Sequence, residues 1–566
     1  MSGPVKVDVL VVGSGAAGLS AAVTAAMHGA SVMVAEKASV LGGTSAWSGG
    51  WLWIPRNPLA RAEGIDEAAD APLTYLQHEM GGEAADIRLQ TFLRYGPEMV
   101  EFFHQRTAVQ FLSGSAMPDF HPSPGAANGG RSVTAQPYDG RLLGDWLHRL
   151  RPPLETISLG GMGIAGGADM AHFFNATRSP RSALYAARRL LRHGWQRLRA
   201  GRGQHLVNGN ALVARLLRSA LDAGVRFQFN APVVRLLKGP RGVSGAVLRS
   251  DGGEIHVEAG AVVLACGGFP HDRQRLAQVV PHAAEGYGHF SAAPPDNQGE
   301  GIRLGESVGG QFDTSLRHPL AWAPVSRVTL ASGQQLMFPH LVERAKPGVI
   351  AVLPNGKRFV NEADSYHDFI AALLAATPAG DTPQAWLLAD RRALRRYGLG
   401  HARPFPFTPT AWLRTGYLQR GNTLAELAKQ CAIDANALAE TVERFNHFAS
   451  AGEDVDFHRG ASAYNRAQGD HQVTLGPLRE GPFYAVRILP GSLGTFSGLQ
   501  TDEHARVLDE QQQPIPGLYA IGNDMSSVMR GYYPSGGITL GPAMTFGYLV
   551  GKNLAKKKTN INNNIT

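Results

Sequence analysis

The sequence predicts an α/β protein with two domains, and three observations lead to this fold class. An apolar run of strand type at residues 7–12 is followed at once by a glycine-rich segment and an alanine-rich helical segment. A second apolar run ends at an acidic residue, Glu36, in the spacing of a β-α-β unit. The chain has 566 residues, more than a single hydrophobic core usually holds.

The segment from Gly13 to Gly18 has the pattern G-x-G-x-x-G between a strand and a helix. In that setting the pattern is typical of dinucleotide binding. Gly13 permits the tight turn, Gly15 lets the backbone approach a pyrophosphate at the helix N-terminus, and Gly18 permits close packing of helix on strand. Glu36 is placed to accept hydrogen bonds from a ribose diol.

A second glycine and hydroxyl cluster at residues 41–50 favours FAD over NAD. The isoalloxazine ring extends well beyond the pyrophosphate, and small residues would let it lie against backbone. Near the end of the chain, residues 517–524 repeat the pattern of a strand that ends in Gly and Asp. We expect this segment to return to the same cofactor, with Asp524 near the ribityl or pyrophosphate region.

Near the C-terminus, Tyr533 is followed after two residues by the adjacent glycines Gly536 and Gly537. A phenol O–H together with closely approaching backbone N–H groups can hold a carbonyl oxygen as it gains negative charge. A carbon–carbon bond beside a ketone can then be desaturated if a base removes the α proton while flavin N5 accepts a hydride from the β carbon. The sequence therefore indicates an enolising site next to a flavin.

These motifs together resemble the fumarate reductase-like FAD flavoproteins and, within them, the 3-ketosteroid dehydrogenases. The segments that carry the resemblance are residues 13–18 with Glu36, 42–50 with Trp53 to Pro55, 265–269, 358–362 leading to Tyr366, 491–498 and 533–547.

The resemblance implies a Rossmann-like FAD-binding domain with an inserted α+β catalytic domain. The domains would comprise residues 1–315 for the first part of the FAD-binding domain, 316–485 for the inserted catalytic domain, 486–555 for the return segment and 556–566 for a disordered tail. The cofactor-binding residues expected are Gly13, Ser14, Gly15, Ala16, Ala17, Gly18, Glu36, Lys37, Gly43, Thr44, Ser45, Ser48, Gly49, Val233, Ala265, Gly267, Asn523, Asp524, Ile538 and Leu540.

The resemblance also assigns roles in the reaction, which would be the Δ1-dehydrogenation of a 3-ketosteroid. Tyr533 and the N–H of Gly537 would hold the ketone oxygen, and Tyr366 would be the base. A free phenol has a pKa near 10, so the surroundings of Tyr366 would have to acidify it.

Two positions depart from the Δ1-dehydrogenase pattern. A second tyrosine that assists the base is replaced by Phe120, so either the neighbouring His121 in the substrate pocket takes over this role or the proton leaves by another route. Ser535 resembles the serine of the 3-ketosteroid Δ4-(5α)-dehydrogenases. The position of desaturation, and the choice between a steroid and a smaller cyclic ketone, therefore stay open.

Two other classes of function are compatible with the flavin motifs. A fumarate- or urocanate-type reductase would need a carboxylate-gripping arginine where Tyr533 stands, and the two isolated cysteines offer no haem attachment motif. A non-catalytic flavin-binding or membrane-associated protein is the third class. The electron acceptor that reoxidises the flavin, a quinone or similar compound, is not identified by the sequence.

The formal net charge of +8 is concentrated in part at residues 181–202, where seven arginines alternate with leucines and Trp195. Such a helix can lie on an anionic membrane, or its apolar stripe can pack on the protein. No recognition motif accompanies the basic residues, so nucleic-acid binding is not expected.

Composition agrees with a cytoplasmic enzyme, with possible peripheral membrane association. The chain has 68 glycines, above the usual share of about 7 per cent, as expected of a chain that wraps a cofactor. The two cysteines, Cys266 and Cys431, argue against a disulfide framework or a metal site. No apolar run reaches the length of a membrane span, and the first residues do not resemble a secretory signal.

Overall fold

The computed structural model describes residues 4–563, with side chains from residue 4 to residue 555. The strands are β1 (Val5–Val12), β2 (Val32–Ala35), β3 (Trp51–Trp53), β4 (Phe111–Ser113), β5 (Ser132–Ala135), β6 (Tyr138–Asp139), β7 (His205–Leu206), β8 (Arg226–Gln228), β9 (Val233–Gly239), β10 (Gly242–Ser250), β11 (Gly253–Leu264), β12 (Phe290–Ser291), β13 (Leu320–Thr329), β14 (Gln335–Pro339), β15 (Val349–Val352), β16 (Ala385–Ala389), β17 (Leu418–Gly421), β18 (Phe483–Thr495), β19 (Arg506–Leu508) and β20 (Pro514–Ala520).

The helices are α1 (Ala16–Met27), α2 (Pro58–Ala62), α3 (Ala71–Met80), α4 (Ile87–Arg106), α5 (Ala168–Phe174), α6 (Pro180–Ala200), α7 (Asn208–Asp222), α8 (Arg273–Val279), α9 (Pro281–Ala284), α10 (Glu300–Glu306), α11 (Tyr366–Ala376), α12 (Arg391–Tyr397), α13 (Thr410–Arg414), α14 (Leu424–Cys431), α15 (Ala435–Ala451), α16 (Ala463–Gln468) and α17 (Leu540–Asn563). Short 3-10 helices cover Gly43–Trp47, Gly81–Ala85, Gly140–Arg149, Glu343–Ala345 and Gly522–Asp524.

The first sheet runs in the order β19-β20-β11-β1-β2-β8, and β10 with β9 extends from β11. Strands β20, β11, β1, β2 and β8 are mutually parallel, so their carboxyl ends share one edge of the sheet. The register pairs Val12 with both Ala35 and Leu264, and Leu264 with Ala520. The chain therefore leaves β1, β2, β11 and β20 at the same edge, where ligands bind in such sheets.

The second sheet runs in the order β14-β13-β18-β16-β15, with β12 and β17 paired to β18. All of its strands except β12 and most of β18 fall within residues 316–485, the range predicted for the inserted domain. Strand β18 continues to Thr495, past the predicted return at residue 486. The domain bounds stay predictions, but β19 and β20 pair in the first sheet.

The first helix packs against the last through glycines. A Cβ added at Gly547 would lie 2.1 Å from Ser20 Oγ, and one at Gly551 would lie 2.7 Å from the Ala21 carbonyl oxygen. Helices α1 and α17 can approach this closely only because these positions carry no side chain. Helix α17 extends to Asn563, through much of the segment 556–566 for which a tail is predicted; residues 564–566 lie outside the described residues.

Helix α6 exposes the apolar stripe noted in the sequence. The exposed fractions are 63% for Leu184, 75% for Leu191, 57% for Trp195 and 86% for Leu198. These side chains do not pack on the protein, contrary to the interpretation of the stripe as an internal packing face. Across residues 4–563, no helix is long and apolar enough to span a bilayer.

Candidate active site

A cavity of about 1150 Å³ lies along the carboxyl edge of the first sheet and extends into the inserted segment. Its wall includes Gly13 and Glu36 at one end and Tyr366 and Tyr533 further along. The glycine fingerprint and the two candidate catalytic phenols therefore open into the same space.

The fingerprint glycines have distinct structural roles. A Cβ at Gly13, where φ is +108°, would lie 2.2 Å from the Ala265 carbonyl oxygen, and one at Gly18 would lie 2.1 Å from the Gly13 carbonyl oxygen. At Gly15 the nearest atom would be Ser45 Oγ, 3.5 Å away. Gly13 and Gly18 thus permit the turn and the helix packing, whereas Gly15 leaves the cavity side open for close approach.

The cavity end of α1 has the donor groups that an anion needs. No side chain caps this helix at Gly15, and its first turn carries no acidic residue. Of its first N–H groups, that of Ala16 donates to Ser45 Oγ at 3.0 Å. The helix N-terminus therefore suits a pyrophosphate.

Glu36 lies at the carboxyl end of β2 beside this turn. Its carboxylate accepts hydrogen bonds from Ser14 Oγ at 2.5 Å and from the Ser14 and Ala38 amides at 3.2 and 2.9 Å. The neighbouring Lys37 pairs with Glu300, which also lines the cavity. These contacts fix the acid at the place where the fingerprint would put a ribose.

Most of the predicted cofactor residues line the cavity. They are Gly13, Ser14, Gly15, Ala16, Ala17, Glu36, Lys37, Gly43, Thr44, Ser45, Ser48, Gly49, Val233, Ala265, Gly267, Asn523 and Leu540. Gly18, Asp524 and Ile538 are buried behind this wall.

Asp524 supports the cavity wall from behind. Its carboxylate accepts hydrogen bonds from the amides of Cys266 at 2.6 Å and Gly268 at 3.0 Å, and burial raises its pKa to about 6. The acid therefore fixes the loop after β11, and the neighbouring Asn523 is the residue that reaches the cavity.

The two candidate catalytic phenols contact each other directly. Tyr366 Oη donates a hydrogen bond to Tyr533 Oη at 2.7 Å, and both rings are largely buried. Tyr366 begins α11, which Ser365 caps by accepting from the Asp368 amide at 3.1 Å. The sequence separates the pair by 167 residues, and the fold brings them together.

The pKa values of both phenols are shifted upward. Burial raises the pKa of Tyr533 to about 12, although hydrogen bonds with Tyr366 and Thr539 oppose the shift. Burial and the neighbouring Tyr533 hold the pKa of Tyr366 well above its ordinary value. The acidification expected of Tyr366 is therefore not produced by the protein groups around it.

Gly537 lies against strand β3. Its φ is +100°, and a Cβ there would lie 2.6 Å from the Trp53 amide nitrogen. The Trp53 amide in turn donates to the Gly537 carbonyl at 3.0 Å. Only glycine fits this position, which the cavity wall shares with Gly536 and Tyr533.

Phe120 lies beside the phenol pair, where the family resemblance would place the second tyrosine. Its ring centroid is 5.8 Å from those of Tyr366 and Tyr533. It is also 4.4 Å from the ring of Tyr464, a buried residue of α16 that lines the same cavity. A third phenol thus lies next to the position where the helper hydroxyl is missing.

His121 does not line the cavity. Its Nδ1 lies 2.5 Å from a Glu79 carboxylate oxygen and its Nε2 lies 2.8 Å from a carboxylate oxygen of Asp368. Burial alone would lower the pKa of His121, but these two acids outweigh it and raise the pKa to about 10. A protonated imidazole held on both sides is not a free proton acceptor, which disfavours His121 as the helper.

Ser535 is also outside the cavity wall. Its buried Oγ lies beside the Asp119 carboxylate and makes no hydrogen bond of ordinary geometry within the described residues. Asp119 itself accepts from Trp53 Nε1 at 2.8 Å and from Arg131 Nη1 at 2.7 Å. Ser535 therefore belongs to a buried polar cluster behind the turn.

Tyr464 and Lys346 are among the residues of the cavity wall that sequence reasoning missed. Both lie in the inserted segment, where no motif marks them. Tyr464 follows Ser462, whose hydroxyl accepts from the Asn465 amide at 3.0 Å and caps α16. A capping serine is a signal by which the sequence could have predicted the start of α16. It does not predict the direction in which the Tyr464 ring points.

The fold and the cavity are those of a dinucleotide-binding protein with a second sheet beside its cofactor edge. Residues 8–540 match the profile of the FAD binding domain family. The chain is 40% identical over 558 residues to 4-oxocyclohex-2-ene-1-carboxylate 5-dehydrogenase of Sinomonas cyclohexanicum, covering 97% of this chain and 94% of the relative. It is 36% identical over 568 residues to 3-oxosteroid 1-dehydrogenase of Mycolicibacterium smegmatis, covering 97% of each chain.

A solved structure of a similar dehydrogenase also matches over nearly the whole chain. The 3-ketosteroid Δ1-dehydrogenase of Sterolibacterium denitrificans, in complex with 1,4-androstadiene-3,17-dione, superposes with a TM-score of 0.88 at 36% identity. The alignment covers 98% of this chain and all of that one. The chain belongs to the FAD binding domain family and is an FAD-dependent oxidoreductase. These matches confirm the predicted Rossmann-like FAD-binding fold and the resemblance to 3-ketosteroid dehydrogenases.

Proposed function

We propose that this flavoenzyme introduces a carbon–carbon double bond next to the ketone of a six-membered ring. The observation that carries the proposal is the hydrogen-bonded pair Tyr366 and Tyr533 beside Gly537, in the cavity that also holds the FAD fingerprint. The ring is either a free-standing oxocyclohexane or the terminal ring of a 3-ketosteroid, since relatives of both kinds align over nearly the whole chain.

In the proposed reaction, Tyr533 Oη and the Gly537 N–H hold the ketone oxygen as negative charge develops on it. This stabilisation acidifies the proton on the adjacent carbon, and Tyr366 takes that proton. Bound FAD supplies the hydride acceptor. The C–H bonding electrons released at the α carbon form the new double bond.

The raised pKa values limit how Tyr366 can act as a base. A neutral buried phenol takes a proton only if it passes its own proton onward. Tyr366 already donates its proton to Tyr533 Oη, so a ketone held by Tyr533 would complete a chain of hydrogen bonds. As the α proton reaches Tyr366, the Tyr366 proton would pass to Tyr533 and the Tyr533 proton to the ketone oxygen, which gives an enol without a free phenolate. The enol oxygen then loses its proton to solvent as the β hydride leaves, so that the product is the neutral unsaturated ketone.

We favour desaturation of the Δ1 type over the Δ4-(5α) type. The Δ4 alternative rests on Ser535, whose Oγ lies behind the cavity wall beside Asp119. Tyr464, which reaches the cavity next to Phe120, is the better candidate for a second hydroxyl on the proton path.

Anaerobic mixing of the FAD-loaded enzyme with ring ketones tests the function. We expect 4-oxocyclohexanecarboxylate, a 3-keto-4-ene steroid or both to bleach the flavin absorbance near stoichiometrically, with the unsaturated ketone identified by mass spectrometry. A 5α-saturated 3-ketosteroid distinguishes Δ1 from Δ4 products. Reduction by none of these ketones would contradict the proposal, and reoxidation of the bleached enzyme by quinones would test the class of electron acceptor.

We also propose that α6 docks on an anionic lipid bilayer. Arg188, Arg192 and Arg199 are exposed on the same helix as the exposed leucines, so the face combines apolar and cationic groups. Leu190 of α6 lines the cavity. A bilayer bound at this helix would therefore lie close to the cavity and could exchange lipophilic ketones with it.

A further inference from the structure

Lys346 is a buried cation on the cavity wall. Its residue is 7% exposed, and its ammonium group donates to the carbonyl oxygens of Gln468 at 2.6 Å and Gly469 at 2.8 Å. Two carbonyls use two of the three ammonium donors. Within the described residues, no carboxylate forms an ion pair with Lys346, and burial lowers its pKa to about 8.

A second cation lies on the same wall. Arg403 donates from Nη2 to the carbonyls of Thr156 at 2.6 Å and Ser158 at 2.9 Å, and burial lowers its pKa. Among the described residues, it too forms no ion pair with a carboxylate. The Lys346 ammonium also lies 5.9 Å from the ring centroid of Phe174, which lines the same cavity. Desolvated cations held by carbonyl dipoles and a ring face, without a carboxylate, are under-compensated, since buried charges are normally paired.

The nearby acids are bound to other partners. Asp470 forms an ion pair with Arg396 and accepts from Tyr397 Oη at 2.7 Å. Glu343 accepts from His340 Nδ1 at 2.6 Å. This part of the cavity therefore keeps an excess of positive charge.

Helix α16 connects Lys346 to the phenol region. Tyr464, near the start of α16, contacts Phe120 beside the phenol pair, and Gln468, at its end, accepts from Lys346. Tyr464 and Gln468 are four residues apart, about 6 Å along the helix axis. The cation and the phenol pair are therefore reached from opposite ends of α16 on one cavity wall.

We propose that Lys346, assisted by the field of Arg403, binds a carboxylate carried by the substrate ring on the side opposite the ketone. The inference rests on the proposed function, since it takes the ketone oxygen to be held at Tyr533 and Gly537. It makes an oxocyclohexanecarboxylate, rather than a neutral ring ketone, the preferred substrate class. The free ammonium donor of Lys346 supplies the hydrogen bond and the charge.

The affinities of the FAD-loaded enzyme for two ligands that it cannot desaturate test the carboxylate site. 4-Hydroxybenzoate has an oxygen and a carboxylate at opposite ends of one ring, and phenol lacks only the carboxylate. Dissociation constants come from the perturbation of the flavin absorbance at pH 7. We expect wild type to prefer 4-hydroxybenzoate by at least tenfold, and Lys346→Met to reduce this preference by about 10- to 100-fold, the effect of one hydrogen bond between charged groups.

Two control variants accompany Lys346→Met. Lys346→Arg keeps the charge and should retain most of the preference, and Lys429→Met removes an exposed lysine of α14 and should retain all of it. FAD content checks folding of each variant. Equal affinity of wild type for the two ligands would overturn the inference, as would an unchanged preference in Lys346→Met; flavin reduction by neutral ketones in that case would leave the proposed function standing.

Discussion

In the proposed reaction, the ketone clamp combines the Tyr533 hydroxyl with the Gly537 N–H. Tyr533 Oη accepts from Tyr366 and faces the cavity, so it would link the proposed base to the substrate oxygen. We expect Tyr533→Phe to slow flavin reduction by about 100- to 1000-fold, or about 2.7 to 4 kcal/mol, because one oxyanion donor is lost. Stopped-flow absorbance under anaerobic conditions measures this rate.

The matched control is Tyr519→Phe, which removes a buried hydroxyl from β20 in the FAD-binding sheet. Its flavin reduction rate should stay within about threefold of wild type, and both variants should keep their FAD. A Tyr533→Phe enzyme that reduces its flavin at the wild-type rate would mean that the ketone binds elsewhere.

A substitution at Tyr464 tests whether its hydroxyl replaces the helper hydroxyl that Phe120 lacks. If the third phenol is part of the proton path, Tyr464→Phe lowers the flavin reduction rate by about 10- to 100-fold, within the usual range for general acid–base groups. Ser535→Ala should change the rate by less than about threefold, because its Oγ lies behind the wall. A solvent deuterium isotope effect that changes in Tyr464→Phe would separate a proton-path role from a packing role. The reverse ranking of the two variants would favour the Δ4 alternative.

At the scale of elements, the ion cluster of Glu79, His121 and Asp368 ties α3 to the start of α11. Helix α11 begins with Tyr366, the proposed base, so this cluster holds the start of that helix in place from the outside of the cavity. The sequence offers His121 as one alternative for the helper of the base, and its contacts with Glu79 and Asp368 favour a positioning role instead.

We expect His121→Gln to lower the free energy of unfolding by about 1.5 to 3 kcal/mol at pH 6, since hydrogen bonds to charged groups contribute that much. The folded state raises the pKa of His121 to about 10. The unfolded chain releases this proton near pH 6.5. The stabilisation is therefore fully present below pH 6.5 and is lost as the pH rises towards 10.

Urea denaturation of wild type and variant at pH 6, 8 and 10 measures this effect. The difference between their unfolding free energies should shrink as the pH rises. His256→Gln, which changes an exposed histidine of β11, is the control and should match wild type throughout. A wild type–variant difference that stays constant or grows with pH would contradict the assigned charge state of His121.

What the sequence could predict depended on how local each feature is. The FAD edge was predictable because Gly13, Gly18 and Glu36 act within one β-α-β unit, where spacing determines geometry. Lys346 and Tyr464 could not be foreseen, since the direction of Lys346 depends on its contacts with the end of α16, and that of Tyr464 on its contact with Phe120, more than 300 residues earlier in the chain. The resemblance supplied Tyr366 and Tyr533, but only the fold shows that their hydroxyls meet.

At the scale of the whole molecule, the cavity and the exposed face of α6 are adjacent. Ala186 and Leu190 line the cavity, and Leu191 and Leu198 are exposed on the same helix. Burying an exposed leucine in a lipid interface contributes roughly 1.5 to 3 kcal/mol. Neighbouring arginines add attraction to anionic lipids that salt screens.

We therefore expect the protein to co-sediment with vesicles of phosphatidylglycerol and phosphatidylcholine, less at high salt and least with phosphatidylcholine alone. The double variant Leu191→Asp, Leu198→Asp should bind at least tenfold more weakly, because it removes two apolar contacts and adds charges that anionic lipids repel. Ile87→Asp, which places the same change at an exposed apolar residue of α4, should bind like wild type. Vesicle binding that is equal in all three proteins, or absent in wild type at low salt, would show that α6 does not dock on lipid.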